Sequence, residues 1–430
     1  MAKQKQPTGL YVLAFTEIFE RLSFYTLSYL LVLYASATPA AGGLAWSKES
    51  ALTLMGLYTM CAFTLPIIGS YLADSFLGCY RAVILGGMII ILGHFCMLFS
   101  ASQPMLYLAL TLVASGTAFF KPCMPALLGQ LYAPEDTHRQ SGFNWYYVGI
   151  NLGAMMAGIS SGLLMQRYGF QIALASAGVG MIIGMIVFYL GRNLLVHDEV
   201  KKTSSSIKLK SEPSSLSPLQ KKAIACLGLS LVFFVLWAIV YHVATTGTLS
   251  LYIENYTNKT IFSYEIPTTF FQSLEALVIM FFTPVFILIL SGLAAKKHFP
   301  HAFSQMNLAL ALSAIAVFYF AYLAYIGQSA QPGEKPFYWT ELAFFIALIA
   351  ISEVMIAPVM MSTISMLAPY RYKALFQSFN LAGVGLAGLL AAKIGAKSLT
   401  SPVNTFFILG VVLSVGSFCY FLCKGKMRRC

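Results

Sequence analysis

Hydrophobic and polar positions along this chain are segregated into long blocks rather than alternating residue by residue. Apolar windows of roughly 20 residues or more occur near 8–36, 50–72, 80–101, 104–129, 141–165, 169–191, 221–250, 265–292, 302–326, 338–367, 373–396 and 402–423. A helix of about 20 residues is long enough to cross a bilayer core. The pattern therefore predicts about twelve membrane-spanning helices. One polar block is much longer than the other breaks: "HDEVKKTSSSIKLKSEPSSLSPLQKK" (197–222) is rich in Ser, Lys and Pro and has no apolar periodicity. It reads as a flexible linker. It separates an N-terminal six-helix bundle (1–196) from a C-terminal one (223–430), with six spans on either side.

Basic residues set the orientation. With a cytoplasmic N-terminus, nineteen Lys and Arg fall on the cytoplasmic side. Only six, Lys48, Arg167, Lys259, Lys335, Lys393 and Lys397, fall on the other. This asymmetry follows the positive-inside rule and predicts that both termini are cytoplasmic, as an even number of spans requires. Loop topology explains the net charge of +12 without nucleic acid. The N-terminal apolar segment is too long for the h-region of a cleaved signal peptide, and no A-x-A-like site follows it.

Composition sharpens the class. The chain has 430 residues, 58% hydrophobic and only 10% charged, where a soluble domain is about 25% charged. Its mean hydropathy is +0.76. The eight cysteines show neither metal-ligand nor disulfide-framework spacing. Cys61, Cys96, Cys123 and Cys226 lie in apolar stretches, where small buried thiols are ordinary. There is no GxxxxGK[ST] nucleotide cradle, no HExxH and no nucleophile–base motif, so neither ATP-driven transport nor an enzyme is expected. No cofactor or metal is expected either.

Ionisable groups inside the spans carry the candidate chemistry. A charge at the centre of a span costs at least about 2.5–3.5 kcal/mol, so such groups face a cavity and seek partners. In "TEIFERLSFY" of the first span, Glu17, Glu20 and Arg21 are spaced i, i+3 and i+4 and share one helix face. Lys121, in "GTAFFKPCMPALLG" of the fourth span, would nearly balance their charge from across a cavity. Such a group reads either as an ion-pair network that only holds helices together or as a proton-titratable network. The second reading follows because a rearranging basic neighbour changes how tightly a buried carboxyl holds its proton.

Glu353 is a lone carboxylate in the tenth span, with Pro358 five residues on, and Glu275 is similar in the eighth. Both would face the first-span cluster across a midplane cavity, basic on one side and acidic on the other, a pattern that suits a zwitterion. Glu275 could pair with His242 of the seventh span or line a gate. His242 itself reads first as a packing residue and second as a proton relay. Asn151 of the fifth span is open between helix packing and substrate binding, since small residues surround it. Asp74 and Arg81, with Gly78 for the turn, bracket the second-to-third loop and suggest a cytoplasmic latch.

At these residues the sequence resembles the proton-coupled oligopeptide transporter family of the major facilitator superfamily. "EIFERLSFY" resembles the family's ExxER motif. "IIGSYLADSFLGCYRAVILGG" resembles its second-to-third-span signature. "FFKPCMPALLGQLY" with "FNWYYVGINLGA" resembles the fourth- and fifth-span signature, and "SEVMIAPVMMSTISMLAP" the tenth-span pattern. The resemblance implies the major facilitator fold, all-α with twelve transmembrane helices, and alternating access. Many bacterial members of that family carry two extra helices between the halves; the linker 197–222 is too short and polar for them, so they are expected to be absent here. The resemblance places Glu17, Glu20, Arg21 and Lys121 in proton coupling. Arg21, Lys121 and Asn151 would hold the peptide's carboxyl end or backbone, Glu353 its amino group, and Tyr25 would line the pocket. His242 and Glu275 join the candidate substrate-binding set.

The departures from the family are specific. The arginine expected seven residues after Arg21 is Ser28, and its seventh-span glutamate partner is Tyr241. An eighth-span asparagine is Glu275, two pocket tyrosines are Phe24 and Phe63, and an eleventh-span tryptophan is Phe379. The coupling motif is kept while the recognition shell is altered. Glu275 beside Glu353 implies either a protonated carboxyl or a preference for a more cationic substrate. Three functions follow in order. The first is a proton-driven symporter importing di- or tripeptides across a bacterial inner membrane as a monomer, its partners being peptide, protons and lipid. The second is the same machine with an amino acid or another small zwitterion or anion as cargo. The third is a non-transporting sensor on the same fold.

Overall fold

The computed structural model describes residues 6–132, 139–195, 218–295, 302–328, 331, 334–368 and 373–427. The apolar windows become helices. In the N-terminal half these are α1 (Thr8–Ser36), α2 (Lys48–Leu72), α3 (Cys79–Cys96), α4 (Gln103–Gln130), α5 (Arg139–Tyr168) and α6 (Phe170–Leu190). In the C-terminal half α7 (Pro218–Thr245) runs into α8 (Gly247–Tyr256), followed by α9 (Thr268–Ala295), α10 (Ala302–Gly327), α11 (Trp339–Leu367), α12 (Lys373–Thr400) and α13 (Pro402–Met427).

Among the described residues, eleven helical stretches are long and apolar enough to cross a membrane by length and composition, with α7 and α8 counting as one. The twelfth span is α1. Its mean character is apolar, but Glu17, Glu20 and Arg21 put three charges in its middle.

Local sequence explains where the helices start and stop. Ser47 accepts a hydrogen bond from the Ser50 N–H at 3.1 Å and caps α2. Glu341 accepts from the Tyr338 N–H at 2.9 Å and caps α11. Gly78 at φ 74° turns the chain into α3 after the π-helical turn Ala73–Leu77, a backbone state that favours glycine. The expected single apolar window at 221–250 is broken. Thr246 takes an extended backbone (φ −113°, ψ −151°) between α7 and α8, and the Thr245 and Thr246 hydroxyls bond back to the carbonyls of Tyr241 and His242. The linker also ends earlier than expected. Residues 218–222 belong to α7, because Pro is accepted in a helix's first turn. Most of the linker lies outside the described residues, and the expected absence of extra helices falls there too.

Each half has its own core. Leu30, Leu31, Leu52, Ala109 and Val113 belong to one cluster, in the N-terminal half. Phe234, Trp237, Phe320, Phe345 and Leu413 belong to another, in the C-terminal half. Two seams join the halves: α5 lies along α9, and α2 along α12. Both use small residues. A Cβ on Gly158 of α5 would sit 2.0 Å from the Ser273 Oγ and 2.4 Å from the Thr269 carbonyl, and a Cβ on Gly56 of α2 would meet Ala392 Cβ at 2.6 Å. Close backbone approach lets hydroxyls cross the first seam. Thr269 donates to the Gly158 carbonyl at 2.6 Å and Ser273 to the Met155 carbonyl at 2.8 Å.

The face away from the termini carries a small polar cap. Strand β1 (Thr257–Asn258) pairs in parallel with β4 (Phe337–Tyr338), while β2 (Thr260–Ile261) and β3 (Tyr264–Glu265) form a hairpin. Lys259 is buried beneath it and bonds to Glu254 at 2.7 Å and Thr268 at 3.1 Å. The Glu265 carboxylate lies 3.5 Å from Lys259 and 3.6 Å from Lys335. The Gln166 side-chain amide of α5 donates to the Glu265 carbonyl at 3.2 Å and so ties the cap to the other half.

Candidate functional site

A cavity of about 250 Å³ lies between the halves, lined by residues of α1, α2, α4, α7, α9, α11 and α12. Its two ends differ in charge. Arg21 and Lys121 line one part, Glu275 and Glu353 another, and aromatic rings including Phe24, Tyr25, Phe63, Trp237 and Tyr241 fill the space around them. A wider cleft of about 510 Å³ opens beside Lys48 and Glu254 and shares no lining residue with this cavity.

At the basic end, one face of α1 brings Glu17, Glu20 and Arg21 together as their spacing predicts. The Arg21 Nε lies 3.1 Å from Glu17 Oε1, and the guanidinium also contacts Glu20. The Tyr146 hydroxyl donates to the second oxygen of Glu17 at 2.6 Å. All three α1 groups are buried. Arg21 reaches the cavity, whereas Glu17 and Glu20 are not among its lining residues. The carboxylates thus stand behind the arginine and hold it, so that it presents its charge inward.

Lys121 departs from expectation. It makes no ion pair with the glutamates among the described residues, and its Nζ is buried with no hydrogen-bond partner. The ammonium lies 3.4 Å from the centre of the Phe63 ring and 5.4 Å from that of Phe24. The physical reason is local. Arg21 pairs with one oxygen of each carboxylate, and the two phenylalanines offer ring faces, which attract a desolvated cation by about 2 kcal/mol or more. The result is a cation whose hydrogen-bonding capacity is unused and directed at the cavity.

At the acidic end, Glu275 of α9 and Glu353 of α11 interact with each other and with the Tyr241 side chain of α7. Glu275 is 5% exposed. Its Oε1, and Oε2 of Glu353, lack hydrogen-bond partners. The alternative of a Glu275–His242 pair is not what forms. His242 lines the cavity, packed edge-on against Phe63 and Tyr241. Its interaction with the Val384 carbonyl falls short of hydrogen-bond geometry. Tyr241, at the position where a gating glutamate was expected, is a partner of the acid pair. Ser28, at the matching arginine position, turns its hydroxyl back to the Phe24 carbonyl at 2.9 Å and lines the cavity.

The remaining candidates fall elsewhere. Tyr25 lines the cavity. Asn151 is buried and donates to the Tyr147 carbonyl at 3.0 Å. It is not a lining residue, so of its two expected roles the geometry displays helix packing. Phe379 is 49% exposed and away from the cavity. Asp74 and Arg81 are both exposed and are not joined in an ion pair among the described residues. Cys61, Cys96 and Cys123 are free thiols, but Cys226 is disulfide-bonded. Cysteine spacing along the chain does not report which helices lie side by side.

Two residues were missed. Tyr146 holds Glu17, and its signal was present in "FNWYYVG" as an aromatic pair in a span rich in small residues. Trp237 stacks on Tyr241 at 5.0 Å and donates to the Ser352 hydroxyl at 3.0 Å. Its signal was the i, i+4 spacing of Trp237 and Tyr241.

Two helical bundles closing on a charged intramembrane cavity define the class: a multi-pass membrane transporter, not an enzyme. The model of the POT family, PTR2, matches residues 80–211 and 219–405. This exceeds half of the chain, which therefore belongs to the POT family, the proton-coupled oligopeptide transporters. Among similar proteins, the uncharacterized transporter YclF of Bacillus subtilis is 27% identical over 461 residues, covering 95% of this chain and 92% of YclF. The peptide transporter YePEPT of Yersinia enterocolitica is 26% identical, over 90% of this chain and 87% of its own. Two solved structures share the fold at a TM-score of 0.87. One is a peptide transporter POT in complex with sulfate, 23% identical and covering 98% of this chain and 95% of that one. The other is a POT family transporter in complex with 5-aminolevulinic acid, 20% identical and covering 98% and 97%.

Proposed function

We propose that this protein is a proton-coupled symporter that imports di- or tripeptides by alternating access. It would act as a monomer in a bacterial inner membrane with both termini cytoplasmic. The observation that carries the reading is the dipolar cavity. A buried ammonium without a hydrogen-bond partner, Lys121, and the inward-facing Arg21 lie in one part, and two carboxyls with open acceptors, Glu275 and Glu353, in another. A zwitterion satisfies both parts at once, and a neutral or singly charged solute leaves one costly buried charge unanswered. The peptide transporters among its relatives support the same cargo class.

In this reading Lys121 and Arg21 take the substrate carboxylate, and Glu353 with Glu275 takes the amino group. Tyr25 and His242 shape the walls. Proton coupling belongs to the α1 cluster. A proton arriving on Glu20 or Glu17 weakens its hold on Arg21 and frees the guanidinium for substrate, so protonation and substrate binding favour each other. Closure is set by the α5–α9 and α2–α12 seams. Asp74 and Arg81 would act at the cytoplasmic face.

A smaller cargo, a single amino acid or another small zwitterion, is the second reading. Phe24 and Phe63 remove two hydroxyls from the family's pocket, which lowers the number of groups available to a peptide backbone. A relative in fold has been solved with 5-aminolevulinic acid. A non-transporting sensor is the weaker reading, since it gains nothing from charges this expensive to bury.

Reconstitution into proteoliposomes with an imposed pH gradient tests the proposal. Alanyl-alanine, trialanine and free alanine are offered as labelled solutes. Accumulation of peptides that collapses with a protonophore is expected. Accumulation of alanine alone selects the second reading, and gradient-independent silence towards all three selects the sensor.

A further inference from the structure

The acid pair has no counter-charge. Glu275 and Glu353 contact each other, and among the described residues no lysine, arginine or histidine nitrogen is ion-paired with either. Tyr241 from α7 touches the pair, Tyr25 and Tyr29 approach from α1 and Tyr147 from α5, and His242 lies further along the same wall. Arg21 is committed to Glu17 and Glu20, and Lys121 to the rings of Phe24 and Phe63. Two carboxyls in contact in a water-poor site cannot both ionise cheaply, and such dyads share one proton. The second observation is the open chemistry of the pair: Glu275 is 95% buried and lines the cavity with Oε1 unbonded, as is Oε2 of Glu353.

We infer that Glu275 and Glu353 form a proton–ammonium exchange site, which holds one proton when empty and gives it up when a substrate ammonium binds between the two carboxyls. This rests on the zwitterion reading of the cavity and adds a proton site separate from the α1 cluster. The step balances. The carboxyl O–H bond breaks, the proton leaves to solvent through the cavity, and the ammonium N–H groups donate to both carboxylates. The pair goes from one negative charge to two while the ammonium brings one positive charge, so the total charge of the site stays at minus one. That constancy is the reason for exchange, because neither the empty nor the loaded state buries a larger net charge.

Tyr241 is the positioning residue, since its side chain interacts with both carboxyls. The sign of the pH effect follows. Ammonium binding at this site releases a proton and so strengthens as pH rises, opposite to coupling through α1, so net symport requires the α1 cluster, with its two carboxyls Glu17 and Glu20, to take up more protons per cycle than this site gives up.

Labelling with dicyclohexylcarbodiimide tests this on the purified full-length protein. The reagent adds to protonated carboxyls in apolar surroundings, and peptide mapping by mass spectrometry locates the adduct. At pH 7 we expect close to one adduct per molecule at these two positions, distributed over Glu275 and Glu353 and never on both, with any adduct on Glu17 or Glu20 counted apart by the mapping. Glu275→Gln should confine the adduct to Glu353, because a lone buried carboxyl without a counter-charge stays protonated, while a monodisperse gel-filtration profile reports folding. Alanyl-alanine should protect the pair at least fivefold, and N-acetyl-alanyl-alanine, which lacks the ammonium, should not. Absence of adducts at both residues overturns the shared proton, as do molecules that carry adducts on both. Equal protection by both peptides, or by neither, overturns the exchange. Labelling and protection with no uptake in proteoliposomes would reject the symporter reading while leaving this site standing.

Discussion

The two ends of the cavity solve the same problem in opposite ways. At the basic end, Arg21 is paired with Glu17 and Glu20, and Glu17 is held again by Tyr146, so opposite charges meet before any ligand arrives, although Glu20 Oε1 and one Arg21 nitrogen keep no hydrogen-bond partner. At the acidic end, Glu275 and Glu353 have only each other and Tyr241. The first is a prepared network in which one proton can redistribute several bonds. The second is a frustrated pair whose partner must come from outside. Lys121 lies between these extremes: it sits in the basic region, but aromatic faces rather than a carboxylate stabilise it. A transporter gains from this asymmetry. The prepared end can carry coupling, and the unsatisfied end can carry recognition.

The comparison is broken most severely by removing a charge from the prepared end. Lys121→Ala and Glu20→Gln are each expected to abolish gradient-driven accumulation in proteoliposomes. For Glu20→Gln, gradient-independent exchange of internal for external substrate should persist, because binding groups remain. A Glu20→Gln protein that still concentrates substrate would remove the coupling role from this end.

Changes at the acidic end should act on affinity instead. Glu353→Gln leaves the substrate ammonium with one charged acceptor fewer, a bond worth about 1.5–3 kcal/mol. The half-saturating concentration should rise roughly 10- to 150-fold while accumulation at saturation is kept. Glu275→Asn should shift the preference between lysyl-alanine and alanyl-alanine towards the neutral peptide. An unchanged ratio would show that the second carboxyl does not select for charge.

Phe63→Leu keeps the volume apolar but removes the ring beneath the Lys121 ammonium. With cation–π contacts worth about 0.5–2 kcal/mol, a loss of roughly 2- to 30-fold in affinity is expected, sensed by competition with acetylated peptides that still carry the carboxylate. The smallest effect belongs to Asn151→Ala. Its amide serves the Tyr147 carbonyl, so transport should change less than about threefold and thermal stability by about 1 kcal/mol. A large transport defect with unchanged stability would return Asn151 to the substrate.

Much of the site was legible because helical periodicity is a short-range rule. The i, i+3 and i+4 spacing of Glu17, Glu20 and Arg21 guarantees a shared face wherever α1 lies, and burial in lipid makes such a face expensive unless it points inward. Glu353 and Glu275 were legible for the same energetic reason. What was not legible was pairing across helices. Sequence offered Lys121 as the glutamates' partner and His242 as that of Glu275. The structure gave Lys121 to Phe63, and Glu275 to Glu353 and Tyr241. Tyr146 is the reverse case, an unremarked aromatic made functional by the packing of α5 on α1.

The sequence by itself determined the class, the two halves and the presence of unavoidable intramembrane charge. These follow from the fixed length of a spanning helix, the cost of burying an ion and the local geometry of one turn. Only the tertiary structure decided which charge meets which, which of them reach the cavity and which stand behind. Those contacts depend on the rotation and approach of separate helices, set by small residues such as Gly158 along the seams, and no local pattern encodes them.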